Sequence, residues 1–344
     1  MRNFSTAPAP HILGADPVSR VMRDVLLGLV PVVIVYVIFF GVGVIVNILI
    51  AAIVCVGCEA AIMKMRNRDV QLYVGDLSAL VCASLLALAL PPVTPWYVTV
   101  TGSLFAIVVA KHLYGGLGFN TFNPAMVGYV VLLIAFPVPM ADLWLSPVGD
   151  GPGIGATLAA IFTGSPPVAG WDAVTMATPL DRVQGDLARG MMMTEVMADP
   201  VMDSAVVSAW TWINIAALAG GIYLMFRGVV RWHIPVSVLL GLAVMATLFN
   251  ISNPDQYPSA WFHLTNGSAV LGAFFIATDP VSAATSRRGR LIYGAGIGVL
   301  IYVIRTWGAY PDGVAFAVLL LNMAVPAIDY FTIPRAYGEQ RERK

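Results

Sequence analysis

Apolar residues run along this chain in long blocks rather than alternating with polar ones. Blocks punctuated by Gly, Pro and charge predict helices at Val25 to Phe40, Val42 to Met63, Leu77 to Leu90, Tyr97 to Ala110 and Ala125 to Phe136. A second set follows at Ala205 to Phe226, Pro235 to Phe249, Ser268 to Ala277, Leu291 to Ile304 and Gly313 to Phe331. About 20 apolar residues cross a hydrocarbon core of about 30 Å, so several of these runs are short. Two of the short runs end in Pro motifs, which predicts broken helices sheltered by protein or lining a cavity.

Composition makes the medium explicit. Of 344 residues, 58% are hydrophobic and 11% charged, against about 25% charged in a soluble domain. The expected fold is an all-α polytopic membrane protein with about ten transmembrane helices. The 19 basic and 19 acidic residues balance and form no basic block, which argues against nucleic acid as a partner. Three cysteines cannot build a disulfide framework. No cleavable signal precedes the first apolar run, so that span is expected to be retained.

Sorting the basic residues by loop, with the amino terminus in the cytoplasm, puts Arg2, Arg20, Arg23, Lys64, Arg66, Arg68, Lys111, Arg227, Arg231, Arg287, Arg288, Arg290, Arg335, Arg341, Arg343 and Lys344 inside. Only Arg182, Arg189 and Arg305 fall outside, a strong positive-inside bias that places both termini in the cytoplasm. The expected organisation is a cytoplasmic segment 1–24, a five-helix repeat 25–136, an extracytoplasmic segment 137–204, a second five-helix repeat 205–331 and a cytoplasmic tail 332–344. The outer segment is acidic, carrying Asp142, Asp150, Asp172, Asp181, Asp186, Glu195, Asp199 and Asp203 against two arginines. Its Met191 to Met193 run reads as local packing, because no His or Cys accompanies it.

The segments beginning at Ser78 and at Ser268 share Ser, Ala, Ala and Ala at equal offsets, and each runs into a Pro-containing break, at Pro91-Pro92 and at Pro280. With five spans on each side of the outer segment, the second half enters from the opposite face. That is the inverted-repeat arrangement of many transport proteins.

Candidate chemistry is sparse. Asn123-Pro124, just after Asn120, and Asp279-Pro280 both read as an N-cap followed by Pro at N1, a helix start with free N–H groups. Such ends either cap helices at the membrane surface or face one cavity, where they suit an anionic or polar ligand such as a flavin's pyrimidine edge. Asp76, Asp279 and Asp329 lie at or inside span edges and are candidates for an ion path; for Asp76 a carboxylate just outside the bilayer fits equally well. Cys55 and Cys58 share a helical face, either as a redox pair or as small interface residues, and with Cys82 they cannot complete a four-thiolate cluster. The histidines His11, His112, His233 and His263 are scattered, and there is no phosphate-binding loop for ATP. In the outer segment, Thr178 as N-cap, Pro179 at N1 and Asp181 at N3 form a helix start of capping-box type.

At these residues the chain resembles the NqrB/RnfD family, and its compact amino-terminal region resembles the RnfD members of Rnf complexes more than the longer NqrB. The resemblance spans nearly the whole sequence: Gly115-Gly116-Leu117-Gly118 with Asn123-Pro124-Ala125, the Thr178 motif, Ala277 to Ser282, Tyr310 to Ala317 and the Asp329 tail. It implies FMN held by Thr178 through a phosphoester bond, added by a separate flavin transferase. Thr175, Ala177 and Pro179 fit the attachment pattern, while Met176 stands where the family has Gly. Gly155-Ala156-Thr157 is a decoy, without the flanking Ser/Thr and Pro-Leu. The resemblance further implies a noncovalent riboflavin, for which Asn120, Asn123 and Asp279 are candidates, and an ion path through Asp76, Asp279 and Asp329. Partners would be Rnf subunits A, B, C, E and G, above all the flavin-carrying RnfG, in a bacterial inner membrane. The implied activity couples electron transfer between ferredoxin and NAD to sodium or proton translocation. A non-redox transporter or channel with the same repeat, or a passive scaffold subunit, is the alternative.

Overall fold

The computed structural model describes residues 17–147, 151–166, 170–199, 202 and 204–333. The terminal segments 1–16 and 334–344 lie outside the described residues, and with them Arg2, His11, Arg335, Arg341, Arg343 and Lys344, as do Asp150 and Asp203. The first half contains α1 (Pro17–Phe40), α2 (Gly43–Met65), α3 (Val70–Val74), α4 (Ser78–Ala89), α5 (Trp96–Leu104) and α6 (Pro124–Ala135). A connecting region follows with α7 (Pro137–Asp142), α8 (Ile154–Thr163), α9 (Pro179–Ala188) and α10 (Met193–Met197). The second half holds α11 (Ser204–Phe226), α12 (His233–Ser252), α13 (Ala260–Thr265), α14 (Ala269–Leu271), α15 (Arg287–Trp307) and α16 (Val314–Thr332). Two stretches of π-helix, Phe105–His112 and Gly272–Ile276, extend α5 and α14.

Each of the ten predicted apolar runs is a helix. Six are long and apolar enough to cross a membrane: α1, α2, α11, α12, α15 and α16. The protein is therefore a multi-pass membrane protein. The remaining runs are shorter: at 1.5 Å per residue the 12 residues of α4 span only about 18 Å. The differences lie at the ends. α15 starts at Arg287, not at Leu291, because Ser286 accepts a hydrogen bond from the Gly289 N–H and caps a first turn that carries three arginines. α8 is an apolar helix in a region read only as an acidic connection.

The halves repeat one packing scheme. α2 packs on α4 and α5, as α12 packs on the α14 extension and α15; α1 and α11 cross between the halves. At that crossing Gly28 and Gly220 bring the two backbones together, and a Cβ on Gly220 would stand 2.0 Å from the Gly28 carbonyl oxygen. Buried asparagines hold the breaks. Asn47 of α2 donates to the carbonyls of Pro91 and Pro92, and Asn214 of α11 to those of Thr265 and Gly267. These bonds satisfy carbonyls that a broken helix leaves free at membrane depth.

The structure also distinguishes two faces. α2 begins at Gly43, packed against Pro92 and Thr157 of the connecting region. Its 23 residues carry it about 34 Å to Met65, beyond which Arg66 donates to the His112 carbonyl. Thr178 and the connecting helices mark one face, and Arg66 and His112 mark the other.

Candidate functional site

Thr178 heads α9 with an extended backbone, and its hydroxyl oxygen accepts from the Asp181 N–H at 3.3 Å. Pro179 at N1 has no N–H to leave orphaned, and with its fixed φ it sets the first turn. The chain leading into it is clasped at its edges. Met176 N–H donates to the Trp144 carbonyl, Ser146 N–H to that of Val174, and the Thr175 hydroxyl to that of Trp171. Ala177 and Thr178 are half-buried.

Thr178 lines a cavity of about 260 Å³ between the two halves. Its walls are mostly aliphatic, with five aromatic side chains among them. Trp144, Trp210 and Tyr36 meet there, with ring centroids 5.5 Å apart for Trp144–Trp210 and 6.5 Å for Tyr36–Trp210; Tyr129 and Tyr310 complete the lining. Polar groups are few: Asp181, Ser268 and Asp312. Asp312 accepts from the Ser268 N–H at 2.8 Å and pairs with Arg305 at 3.1 Å, so its side chain is held in place. Burial, with the Asp142 carboxylate second, pushes the Asp181 carboxyl above its usual range. An apolar wall with a few polar groups suits a heteroaromatic ring. The decoy differs: Thr157 is buried inside α8, with its hydroxyl on the Pro152 carbonyl.

The other sequence-derived residues lie elsewhere. Asn123 caps α6, accepting from the Met126 N–H, and its amide reaches the Ile276 carbonyl at 3.4 Å, three residues before Asp279. Asn120 is buried with its Oδ1 unpartnered. Asp279-Pro280 does not start a helix. The Ser282 hydroxyl donates to the Asp279 carboxylate and folds residues 280–282 into a turn, and the next helix waits for Ser286. Asp76 accepts from Ser78 at the start of α4, and Asp329 accepts from the Thr285 N–H and hydroxyl. Among the described residues no hydrogen bond joins Asp76, Asp279 and Asp329. The three cysteines are free, and Cys55 meets Cys82 rather than Cys58.

Sequence reading missed several buried charges. Glu59, Lys111 and Arg305 are 1%, 2% and 4% exposed, so Lys111 and Arg305 belong to the interior and not to the loops they were sorted into. The only sequence signal was Glu59 itself, a carboxylate inside an apolar run.

Fold and cavity define a class: a polytopic helical membrane protein with two similarly packed halves and an apolar cavity beside a capped threonine. The chain belongs to the NQR2, RnfD, RnfE family, whose model matches residues 5–338. It is 49% identical over 340 residues to the D subunit of the ion-translocating oxidoreductase complex of Marinobacter nauticus, covering 98% of this chain and 96% of the relative. The proteins of the same name from Shewanella denitrificans and Vibrio cholerae are each 47% identical, covering 98% and 97% of this chain and 99% of each relative.

Proposed function

We propose that this chain is the D component of an ion-translocating oxidoreductase complex and that it carries FMN on Thr178, coupling electron transfer between ferredoxin and NAD to movement of sodium or protons. The observation that carries the flavin reading is the placement of Thr178, a half-buried N-cap on an apolar cavity that includes five aromatic side chains. Bound flavin supplies a carrier that accepts and passes single electrons. The residues present fit it. The amino-terminal end of α9 favours a phosphate, Trp144, Trp210 and Tyr36 offer apolar faces to a ring, and Ser268 and Asp312 offer polar edges. A covalent tether keeps such a carrier from dissociating at an open face of the protein.

A second, noncovalent flavin, riboflavin, is assigned to Asn120, Asn123 and Asp279. Asp76, Asp279 and Asp329 are assigned to ion entry, and both termini to the cytoplasm of a bacterial inner membrane. Subunits A, B, C, E and G are the expected neighbours, RnfG nearest the Thr178 face. Moving one charge against 100 mV takes about 2.3 kcal/mol, the amount an electron releases in falling through the same potential, so each electron must be tightly linked to an ion.

The test is coexpression with a flavin transferase followed by denaturing electrophoresis. The wild-type and Thr157→Ala bands fluoresce and Thr178→Ala is dark. A dark wild-type band overturns the assignment and favours a non-redox transporter. For the carboxylates, Asp→Asn variants that retain wild-type ion transport and electron flow remove them from the path.

A further inference from the structure

At the face opposite Thr178, α2, α4 and the π-helical extension of α5 enclose a charged cluster inside the protein. Lys111 donates to the Glu59 carboxylate and, at 2.7 Å, to the Ser78 hydroxyl, which donates in turn to the Asp76 carboxylate. His112 Nε2 stands 3.5 Å from Glu59 Oε1. Asp76 is half-buried, while Glu59, Lys111 and His112 are 1–2% exposed. The other groups packed here are Cys55 and Cys82, and Arg66, which is engaged with the His112 carbonyl.

Two observations set this cluster apart from a structural ion pair. Glu59 Oε2 and His112 Nδ1 are buried without a hydrogen-bond partner, although buried polar groups are ordinarily satisfied. The cluster also has a counterpart of different chemistry. In the second half Ser268 and Arg305 bind Asp312, beside the buried His263. Arginine does not lose its proton in a protein, whereas a buried lysine readily does.

We propose that Asp76, Ser78, Lys111 and Glu59 form a proton relay from the Arg66 face into the membrane interior, with His112 as the next acceptor. Lys111 gives one of its protons to Glu59, which becomes a neutral acid. The amine then takes a proton from the Ser78 hydroxyl once that hydroxyl has turned towards it, and Ser78 takes one from Asp76, which was protonated from the aqueous phase. One proton has entered, Lys111 is again an ammonium, Asp76 is again a carboxylate and Glu59 holds the proton. Every transfer follows a contact within hydrogen-bonding reach. The proposal rests on the ion-translocating reading and is independent of the flavin on Thr178.

The experiment uses the whole complex in proteoliposomes, following proton uptake with an entrapped pH dye and the protonated-carboxyl band of Glu59 by difference infrared spectroscopy on reduction. The expected result is a band in wild type that shifts in D₂O and is absent from Glu59→Gln. Proton uptake slows at least tenfold in Ser78→Ala and in Lys111→Arg, and Ser78→Thr restores it. Should Lys111→Arg fail to assemble, the Ser78 pair decides, because both changes keep Lys111 and Glu59 themselves. Wild-type uptake in Ser78→Ala, or a wild-type complex without the band, overturns the relay and leaves the ion-translocating reading standing. A wild-type complex that builds no membrane potential overturns both.

Discussion

Gly220→Ala is expected to loosen the joint between the two halves and with it the Thr178 cavity. In an ordinary helix interior the change is favourable, since alanine exceeds glycine in helix propensity by about 0.8–1 kcal/mol. Here the new Cβ would lie 2.0 Å from the Gly28 carbonyl oxygen and 3.0 Å from both its carbon and the tip of Phe275. An ordinary contact is about 3.4 Å, so α1 and α11 must separate by roughly 1.4 Å, and the obstacle is backbone that cannot rotate away. Overpacking of this kind costs about 1–3 kcal/mol; with a 2.0 Å approach to backbone the cost falls at the upper end, outweighs the propensity gain and leaves a net loss of up to about 2 kcal/mol. Tyr36 lies eight residues beyond Gly28 and Trp210 ten before Gly220, so the separation also reaches the cavity wall. Gly57→Ala in α2 is the control, because its Cβ would meet nothing within 4 Å. Thermal unfolding in detergent should rank Gly57→Ala at or above wild type and Gly220→Ala several degrees below, with altered tryptophan fluorescence. Equal stability of the two variants would refute the close-approach argument.

Lys111→Met leaves Glu59 buried without its cation and should cost about 3–5 kcal/mol, most of it recovered in the Glu59→Leu/Lys111→Met double variant; chemical denaturation of the four-member cycle reads this. Asp181, whose carboxyl is raised by burial, favours the fold while protonated. Its contribution is complete below the ordinary value of 3.8 and is lost as pH rises through the raised one, so Asp181→Asn should gain stability over wild type at pH 7 and lose that advantage towards pH 3.5. Asn214→Leu removes the amide bonded to the Thr265 and Gly267 carbonyls and should destabilise by about 1–3 kcal/mol, a loss that Asn214→Gln does not fully repair; thermal unfolding in detergent checks both.

The helices were legible because length and apolarity alone decide what crosses a bilayer, and the Thr178 start was legible because capping is local: the cap, the proline and the N3 residue lie within four positions. What failed was non-local or rested on a local rival. Asp279-Pro280 has the letters of a helix start, but Ser282, three residues on, captures the carboxylate and turns the chain. Lys111 reads as a loop cation because its partner Glu59 lies 52 residues away, on a helix that only the fold brings alongside. Arg305 escaped for the same reason, being matched to Asp312 across a turn and to the His263 carbonyl across 42 residues.

The repeat gives these misses a common meaning. Each half has a serine at the start of its broken helix and a long cation near the end of the helix packed against it, and the fold presents the two sets at opposite faces. On the Thr178 face the cation is Arg305, with its carboxylate in the wall of the cavity, so a guanidinium–carboxylate pair borders the proposed flavin. A fixed pair holds the local field constant as electrons come and go. On the other face the cation is Lys111, and its carboxylate lies deep in α2 with an oxygen to spare. Exchanging the two cations tests whether the division is chemical: Arg305→Lys should keep the fold and lower the constancy of the flavin's midpoint potential with pH, whereas Lys111→Arg should leave that potential unchanged and stop proton uptake. A potential that responds identically to both changes would mean that the faces are not specialised in this way.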